Sequence, residues 1–193
     1  MKLSAGQSFP QAALKNIHGR PVSIPDTSGR LTHLQFRRFA GCPVCNLHLQ
    51  TFIQRHAELT NAGISEVVAF HSSDEELLPY QGRFPFDVIG DPEKRLYRHY
   101  GVETSIWAIL NPKGWPAAFK AKRAKDNPVL NGMPKWGILG LPADFLIASD
   151  GMIQDAHYGK YGYDQWSVDE VLEKAVSSRR NTGKSVVGGH AGT

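Results

Sequence analysis

Two cysteines, Cys42 and Cys45, are the whole thiol inventory of the chain, and only Pro43 and Val44 separate them. A thiolate is a nucleophile and a metal ligand, so such a pair can attack a substrate, close on itself as a disulfide or bind a metal ion. On a helix, two intervening residues place the second sulfur about one turn from the first, close enough for a disulfide. The spacing therefore predicts a redox-active pair.

Two other interpretations of the pair stay open from the residues alone. Both thiols could be small buried hydrophobic side chains, although reactivity is the more common reason for a cysteine pair at the start of a helix. A structural zinc site needs four ligands. Only His48 lies near enough to join the pair, and no close His-x-x-x-His follows Cys45. His48 and His56 are otherwise interpreted as surface or packing residues.

The elements on either side of the pair favour the reactive interpretation. Apolar side chains at a period of two predict a strand over residues 31–39, and Gly41 breaks it. Pro43 suits the first position of a helix, and apolar residues at helical spacing follow it. The free N–H groups of a helix N-terminus stabilise a thiolate. Arg37 and Arg38 would lower a thiol pKa further if either side chain turned toward the pair.

The rest of the chain alternates strands and helices, which predicts an α/β domain with parallel strands. Strands are predicted over residues 64–70, 84–89, 143–148 and 152–157, helix starts at 72–76, 91–93 and 167–170, and a small hairpin from 11–17 and 22–24. His71 follows the strand at 64–70. The end of that strand should lie near the cysteines, so His71 is a supporting candidate for the site.

Two segments depart from this alternation. Residues 111–140 contain several prolines and a basic run at 120–125, and they are interpreted as a long insertion, either functional or merely solvated. Residues 180–193 are rich in small and polar residues, which predicts a disordered tail. The expected organisation is one domain over residues 1–179.

The composition argues against several classes of protein. A hydrophobic fraction of 41% over 193 residues is ordinary for a domain that buries a core without disulfide staples. The net charge of +4 is spread along the chain, and the basic run lacks interleaved aromatic residues, so we expect no nucleic-acid partner. No apolar run is long enough for a membrane span or a secretory signal. A reducing cytoplasm is the expected location.

Three groups of residues, taken in order, resemble the peroxiredoxin superfamily. Residues 5–24 are similar to the N-terminal hairpin of the alkyl hydroperoxide reductase/thiol-specific antioxidant (AhpC/TSA) family. Residues 91–102, with DPEKRLY and YGV, look like the helix before the late strands of that family. Residues 141–151, with LPADFLI and then Asp-Gly, resemble the strand of thioredoxin-like reductases that carries a cis-proline, here Pro142.

This resemblance implies a thioredoxin-like three-layer fold with a central mixed sheet, an N-terminal hairpin extension and a long insertion before the cis-proline strand. It also implies a thiol–disulfide oxidoreductase or an antioxidant thiol peroxidase that needs no bound cofactor. The substrate would be a peroxide or a disulfide, and an external reductant of the thioredoxin or glutathione type would regenerate the thiols. Dimers are common in the family, so a homodimer is a further expectation.

Departures from the family pattern leave two assignments for the nucleophile. Peroxiredoxins carry a threonine three residues before the attacking cysteine, so the match to their site makes Cys45 the nucleophile, and Pro142 stands where their distal arginine would be. Thioredoxin-like proteins attack with the first cysteine and hold their partner beside the cis-proline. We therefore expect Cys42 to attack and Cys45 to resolve, with the reverse assignment as the rival.

A second functional class fits the same cysteine pair. In a non-catalytic redox-sensing or interaction module, the disulfide would switch a binding surface formed by the insertion at 111–140. Repeated turnover with a reductant distinguishes an enzyme from such a sensor, which is oxidised once.

Overall fold

The computed structural model describes residues 2–11, 13–102, 104 and 139–187, with side chains described up to residue 180. Within these residues the strands are β1 (Leu14–Lys15), β2 (Pro21–Val22), β3 (Leu31–Arg37), β4 (Ile64–Phe70), β5 (Asp87–Gly90), β6 (Ala143–Ile147) and β7 (Ile153–Tyr158). The helices are α1 (Pro43–Gln54), α2 (His56–Asn61), α3 (Asp74–Gln81), α4 (Arg95–His99) and α5 (Val168–Val187).

Strand β3 lies at the centre of a five-stranded mixed sheet with the order β5-β4-β3-β6-β7. The pairs β3–β4 and β4–β5 are parallel, whereas β6 is antiparallel to both β3 and β7. Strands β1 and β2 form a separate antiparallel hairpin. Every residue of β3 is buried, as expected for a central strand with both faces covered. The predicted mixed α/β sheet and the N-terminal hairpin are confirmed.

Side chains of β3 alternate between two cores because successive residues of a strand point to opposite faces. Phe36 packs against Tyr97 of α4 and Phe145 of β6, in a core that the N-terminal hairpin also covers. The opposite face carries the polar side chains of His33 and Arg37, and helices α1, α3 and α5 contribute to the cores on that face. Helices thus lie on both sides of the sheet.

Two helices start or divide differently from the sequence prediction. The apolar residues at helical spacing that follow Pro43 continue to Leu59, which predicts one helix. The structure has two, because Arg55 ends α1 and precedes α2. Helix α4 begins at Arg95 rather than near residue 91, because the Asp91 carboxylate accepts the N–H groups of Arg95 and Leu96 and so precedes the helix. None of the helices of the described residues is long and apolar enough to cross a membrane.

The predicted insertion and tail are described only at their edges. Residues 111–138 lie outside the described residues, and Gly140 forms an isolated antiparallel bridge with Thr104. Helix α5 continues to Val187, so it covers residues 180–187 of the predicted tail. Local propensity does not explain the continuation, because most residues after Arg180, Gly183 among them, are poor helix formers. Residues 188–193 lie outside the described residues, and the domain boundary at residue 179 stays a prediction.

Candidate active site

The cysteine pair lies where β3 passes into α1, as the sequence predicts. The chain turns after Arg37, the Cys42 N–H donates to the Phe39 carbonyl at 3.1 Å, and Gly41 takes a φ of 66°. This left-handed conformation favours glycine, which explains the residue at that position. Cys42 then caps α1, and Pro43 occupies the first turn, where its missing N–H costs nothing.

Both thiols are free and buried, with 1% of each residue exposed. The Cys45 backbone N–H donates to the Cys42 sulfur at 3.4 Å. Apolar side chains form one core cluster with the pair, among them Phe39, Leu49 and Phe70. The described state is therefore a reduced dithiol in an apolar setting, with its first sulfur turned toward the helix N-terminus.

The two thiols hold their protons with very different strength. Burial raises the pKa of Cys42, but the hydrogen bond from the Cys45 thiol, the charge of Arg38 and backbone N–H groups outweigh burial and lower the pKa from 9.0 to about 6. Burial, the hydrogen bond to Cys42 and the Cys42 charge raise the pKa of Cys45 well above its usual value. At neutral pH the thiolate is therefore at Cys42 and the proton at Cys45.

The two consecutive arginines take opposite directions, as neighbouring residues of an extended chain do. Arg38 is 9% exposed, its guanidinium lies 5.2 Å from the centre of the Phe39 ring, and its charge lowers the pKa of both thiols. Arg37 is fully buried and donates to the Asp144 carboxylate at 2.7 Å. Of the two predicted supporting arginines, only Arg38 turns its charge toward the cysteines.

His71 follows β4 directly and is fully buried beside the same loop. Its backbone N–H donates to the Arg38 carbonyl at 3.0 Å, and its ring makes edge contacts with Phe39 and Tyr97. A Cβ at Gly140 would lie 2.5 Å from His71 Nε2, so this approach of the backbone requires glycine. The structure thus brings His71 beside Arg38 and Gly140, and its expected role in support of the cysteines stays a prediction.

The prediction of a cis-proline at Pro142 is wrong. Among the described residues, the one cis peptide bond precedes Pro25, so the bond between Leu141 and Pro142 is trans. The trans form of an X–Pro bond is favoured by only about 0.5–1 kcal/mol, so surrounding contacts select the isomer and sequence alone does not. Pro142 is buried just before β6, and its carbonyl accepts the Gly159 N–H at 2.9 Å.

Five buried polar side chains form a closed ring on the sheet face beneath α1 and α5. His33 Nδ1 lies 2.9 Å from a Glu66 carboxylate oxygen, which also accepts the Gln35 amide at 2.6 Å. Arg37 donates both to the Gln35 side-chain oxygen and to Asp144. Asp144 Oδ1 lies 3.4 Å from His33 Nε2, which closes the ring. We name these five residues the polar ring.

The polar ring holds two positive and two negative charges. Burial lowers the pKa of His33, but the charges of Glu66 and Asp144 outweigh burial and raise the pKa from 6.5 to about 9. Burial raises the pKa of Asp144, but Arg37 and His33 hold it well below its usual range. Sequence reasoning missed the ring. The signal for three of its five members was present, since three polar residues alternate along the strand at 31–37.

The polar ring is connected to α1 through the backbone N–H and carbonyl groups of Trp166. The Trp166 N–H donates to Asp144 Oδ2 at 3.3 Å, and the Trp166 carbonyl accepts from His48 Nε2 at 2.8 Å. His48 lies on α1 three residues after Cys45 and is 6% exposed. Burial lowers the pKa of His48 to about 3, and the Arg37 charge acts in the same direction. The imidazole is therefore neutral at physiological pH.

The described residues offer no cluster of metal ligands at this site. In the part of the chain that the structure describes, no group of three or more His, Cys, Asp or Glu residues is arranged to hold a metal ion. The reactive groups of the site are the Cys42 thiolate, the Cys45 thiol, the Arg38 guanidinium and the N-terminus of α1.

The fold and the thiol geometry agree with a family comparison. The model of the AhpC/TSA family matches residues 5–156, which is most of the chain. The chain belongs to the AhpC/TSA family. It is therefore a thiol-dependent redox protein, an oxidoreductase of either the peroxidase or the disulfide-exchange kind. No curated protein matches the chain.

Solved structures similar to this AhpC/TSA protein include both kinds of redox protein. Peroxidoxin BcpB from Mycobacterium tuberculosis is 16% identical with a TM-score of 0.63, over 93% of this chain and 97% of that one. A Chlorobium tepidum protein assigned as thiol:disulfide interchange protein DsbE is 20% identical with a TM-score of 0.59, over 92% and 98%. The reduced 2-Cys peroxiredoxin of Plasmodium vivax is 13% identical with a TM-score of 0.66, over 93% and 83%. At these identities the similarity shows the fold alone.

Proposed function

We propose that this AhpC/TSA protein is a thiol–disulfide oxidoreductase in which Cys42 attacks and Cys45 resolves. The observation that carries the proposal is the unequal proton affinity of the two sulfurs, with the pKa of Cys42 lowered to about 6 and that of Cys45 raised. The nucleophile of disulfide exchange is a thiolate, and a protonated neighbour acts later as the resolving thiol. A peroxiredoxin-like assignment with Cys45 as nucleophile would require the opposite distribution.

The reaction proceeds in two exchanges. The Cys42 thiolate attacks one sulfur of a substrate disulfide, which forms a mixed disulfide and releases the other substrate sulfur as a thiolate. Cys45 then loses its proton and attacks the Cys42 sulfur, which forms the Cys42–Cys45 disulfide and releases the second substrate thiolate. The substrate disulfide is reduced to two thiols. An external dithiol, or two molecules of a glutathione-type thiol, reduces the protein again.

Peroxide reduction is the second candidate, and Arg38 is the observation that favours it. Attack of a thiolate on a peroxide gives a sulfenic acid and releases an alkoxide or hydroxide, and this leaving oxygen needs a charge partner. The family's distal arginine is absent at Pro142, but the Arg38 charge reaches both sulfurs. The remaining thiol would then condense with the sulfenic acid, releasing water and forming the same disulfide.

Single-cysteine variants distinguish the two assignments of the nucleophile. We expect Cys45→Ser to trap a glutathione adduct on Cys42 when treated with oxidised glutathione, and Cys42→Ser to form none, as measured by intact-protein mass spectrometry. The reverse pattern would make Cys45 the nucleophile and would overturn the proposed roles.

The substrate is tested by the oxidation rate of the reduced wild-type protein, followed by tryptophan fluorescence. Disulfide exchange predicts fast oxidation by a disulfide and reaction with hydrogen peroxide no faster than that of an unactivated thiol. Fast reaction with peroxide would instead assign a peroxidase. Repeated cycles with a thioredoxin- or glutathione-type reductant are expected for either enzyme, whereas a redox sensor would stop after one oxidation.

A further inference from the structure

His48 connects the redox helix to a neighbouring loop by a specific hydrogen bond. A carbonyl oxygen only accepts hydrogen bonds, so the 2.8 Å contact with Trp166 requires a proton on His48 Nε2. His48 is buried, and its ring also packs against Phe52 at 5.0 Å and Tyr163 at 6.1 Å. The imidazole is thus fixed in one tautomer and one orientation on the first turns of α1.

The bond from His48 continues into the sheet. The same Trp166 unit that accepts from His48 donates its N–H to Asp144 on β6. Asp144 is in turn held by Arg37, the last residue of β3. Because only residues 38–41 separate β3 from Cys42, the segment that carries both cysteines is held on each side, by Arg37 before it and by His48 after it.

This closed path has one consequence for the thiols. The Cys42 thiolate depends on the charge of Arg38. Arg38 follows the end of β3 and Cys42 caps the start of α1, so the separation of the charge and the sulfur depends on where α1 lies relative to β3. A displacement of α1 away from the end of β3 increases this separation and weakens the stabilisation of the thiolate charge. The polar ring and His48 thereby influence the reactivity of the Cys42 thiolate without contacting either sulfur.

We propose that His48 is a positioning residue for the redox pair, which holds the start of α1 through Trp166 and Asp144 so that the Cys42 sulfur stays within reach of the Arg38 charge. This inference rests on the proposed role of Cys42 as the thiolate of the pair. It assigns to His48 no contact with substrate and no transfer of a proton.

The test compares His48→Leu with His48→Gln in the fully reduced protein. Leucine removes the donor to Trp166, whereas the glutamine amide can replace it. We expect the midpoint of the pH profile for Cys42 alkylation by iodoacetamide to rise by about one pH unit in His48→Leu and to return toward the wild-type value in His48→Gln. A His48→Leu profile that overlays the wild type would overturn the proposal.

A control variant separates positioning from general loss of stability. Val171→Ala removes two methyl groups from α5 in the core cluster that contains Trp166, and it leaves the His48 hydrogen bond in place. It should lower the melting temperature without moving the alkylation midpoint. An equal shift of the midpoint in Val171→Ala and His48→Leu would also overturn the proposal, because any loosening of this core would then suffice.

A measurement on the wild type keeps the inference testable if His48→Leu does not fold. In ¹⁵N-correlated spectra of the imidazoles, His48 should remain neutral with its proton on Nε2 at pH 5, below the ordinary histidine range. A proton on Nδ1 with none on Nε2 would show that the bond to Trp166 does not form, because only a protonated Nε2 donates to the carbonyl. Both experiments use reduced protein without substrate, and the Cys42→Ser variant identifies the alkylated thiol. Their failure is therefore distinct from a failure of disulfide exchange as the function.

Discussion

At the scale of single residues, the two sulfurs differ because of their places on α1. The Arg38 charge lowers the pKa of both thiols, so it sets the general level of acidity and does not separate them. The separation comes from the hydrogen bond between the two thiols, which lowers the pKa of Cys42 and raises that of Cys45, and the helix cap adds to it. Cys42 stands before the helix and receives the Cys45 N–H, while Cys45 stands inside it and faces the Cys42 charge.

Replacing Arg38 by glutamine should weaken the thiolate. Removal of this positive charge is expected to raise the pKa of Cys42 by about 1 unit, which slows its alkylation at neutral pH. The rate of iodoacetamide reaction against pH, measured on reduced protein, reports the change. Arg38→Lys keeps a charge and serves as the matched control. An unchanged midpoint in Arg38→Gln would show that Arg38 does not act on Cys42.

Residue spacing predicted the cysteine pair and its helix cap, but not which arginine faces it. The predicted strand ends at residue 39, whereas the observed strand ends at Arg37. Which arginine turns toward the cysteines depends on the course of residues 38–41 and on the Asp144 partner of Arg37. The trans isomer at Pro142 could not be predicted from the sequence either, because Pro142 contacts residues that are distant in the chain, such as Gly159. Local patterns carry local structure, whereas these two features depend on tertiary contacts.

At the scale of elements, the polar ring joins three strands of the sheet. His33, Gln35 and Arg37 belong to β3, Glu66 to β4 and Asp144 to β6. The period-two pattern of polar residues in β3 was visible in the sequence. The partners on β4 and β6 were not, because they depend on the register that pairs His33 with Glu66 and Gln35 with Asp144.

The polar ring should make stability depend on pH through His33. The folded pKa of about 9 exceeds the ordinary 6.5, so the contribution of protonated His33 is complete below pH 6.5 and is lost as the pH rises through about 9. Below pH 6.5, His33→Gln should cost about 3–5 kcal/mol, as expected for removing one member of a buried pair. Urea unfolding of both proteins between pH 5.5 and about 9.5 measures the difference.

The outcome that contradicts this prediction is a free-energy difference that stays constant with pH. His157→Gln is the control, because His157 Nε2 lies 3.1 Å from the Asp164 carboxylate with 31% of its own side chain exposed. Such a partly exposed pair should contribute at most about 1 kcal/mol.

At the scale of the whole molecule, the fold does not select the substrate. The same architecture is found in a peroxidoxin and in a protein assigned to thiol:disulfide interchange. Function must therefore be argued from the site, and here from the proton distribution between two sulfurs. The thiolate also links the site to global stability, because its pKa differs between the folded and the unfolded chain.

The stability of the reduced protein relative to Cys42→Ser should therefore rise with pH. The pKa of Cys42 is lowered from 9.0 to about 6, so the stability it contributes is complete above pH 9 and is lost as the pH falls through about 6. Urea unfolding under reducing conditions at several pH values measures the difference between the two proteins. The effect of His33 is common to both and cancels. A difference that does not change between pH 6 and 9 would contradict a lowered Cys42 pKa.

The 1% exposure of Cys42 has a kinetic consequence for large partners. A disulfide carried by another protein reaches the sulfur only in a transiently open form, so the observed rate is the intrinsic rate multiplied by the population of that form. Small reagents need a smaller opening, so their observed rate is reduced less. A bulky substrate gains speed only if its own binding favours the open form. Burial of this thiolate therefore makes the observed reaction rate depend on the size of the partner and on how strongly its binding favours the open form.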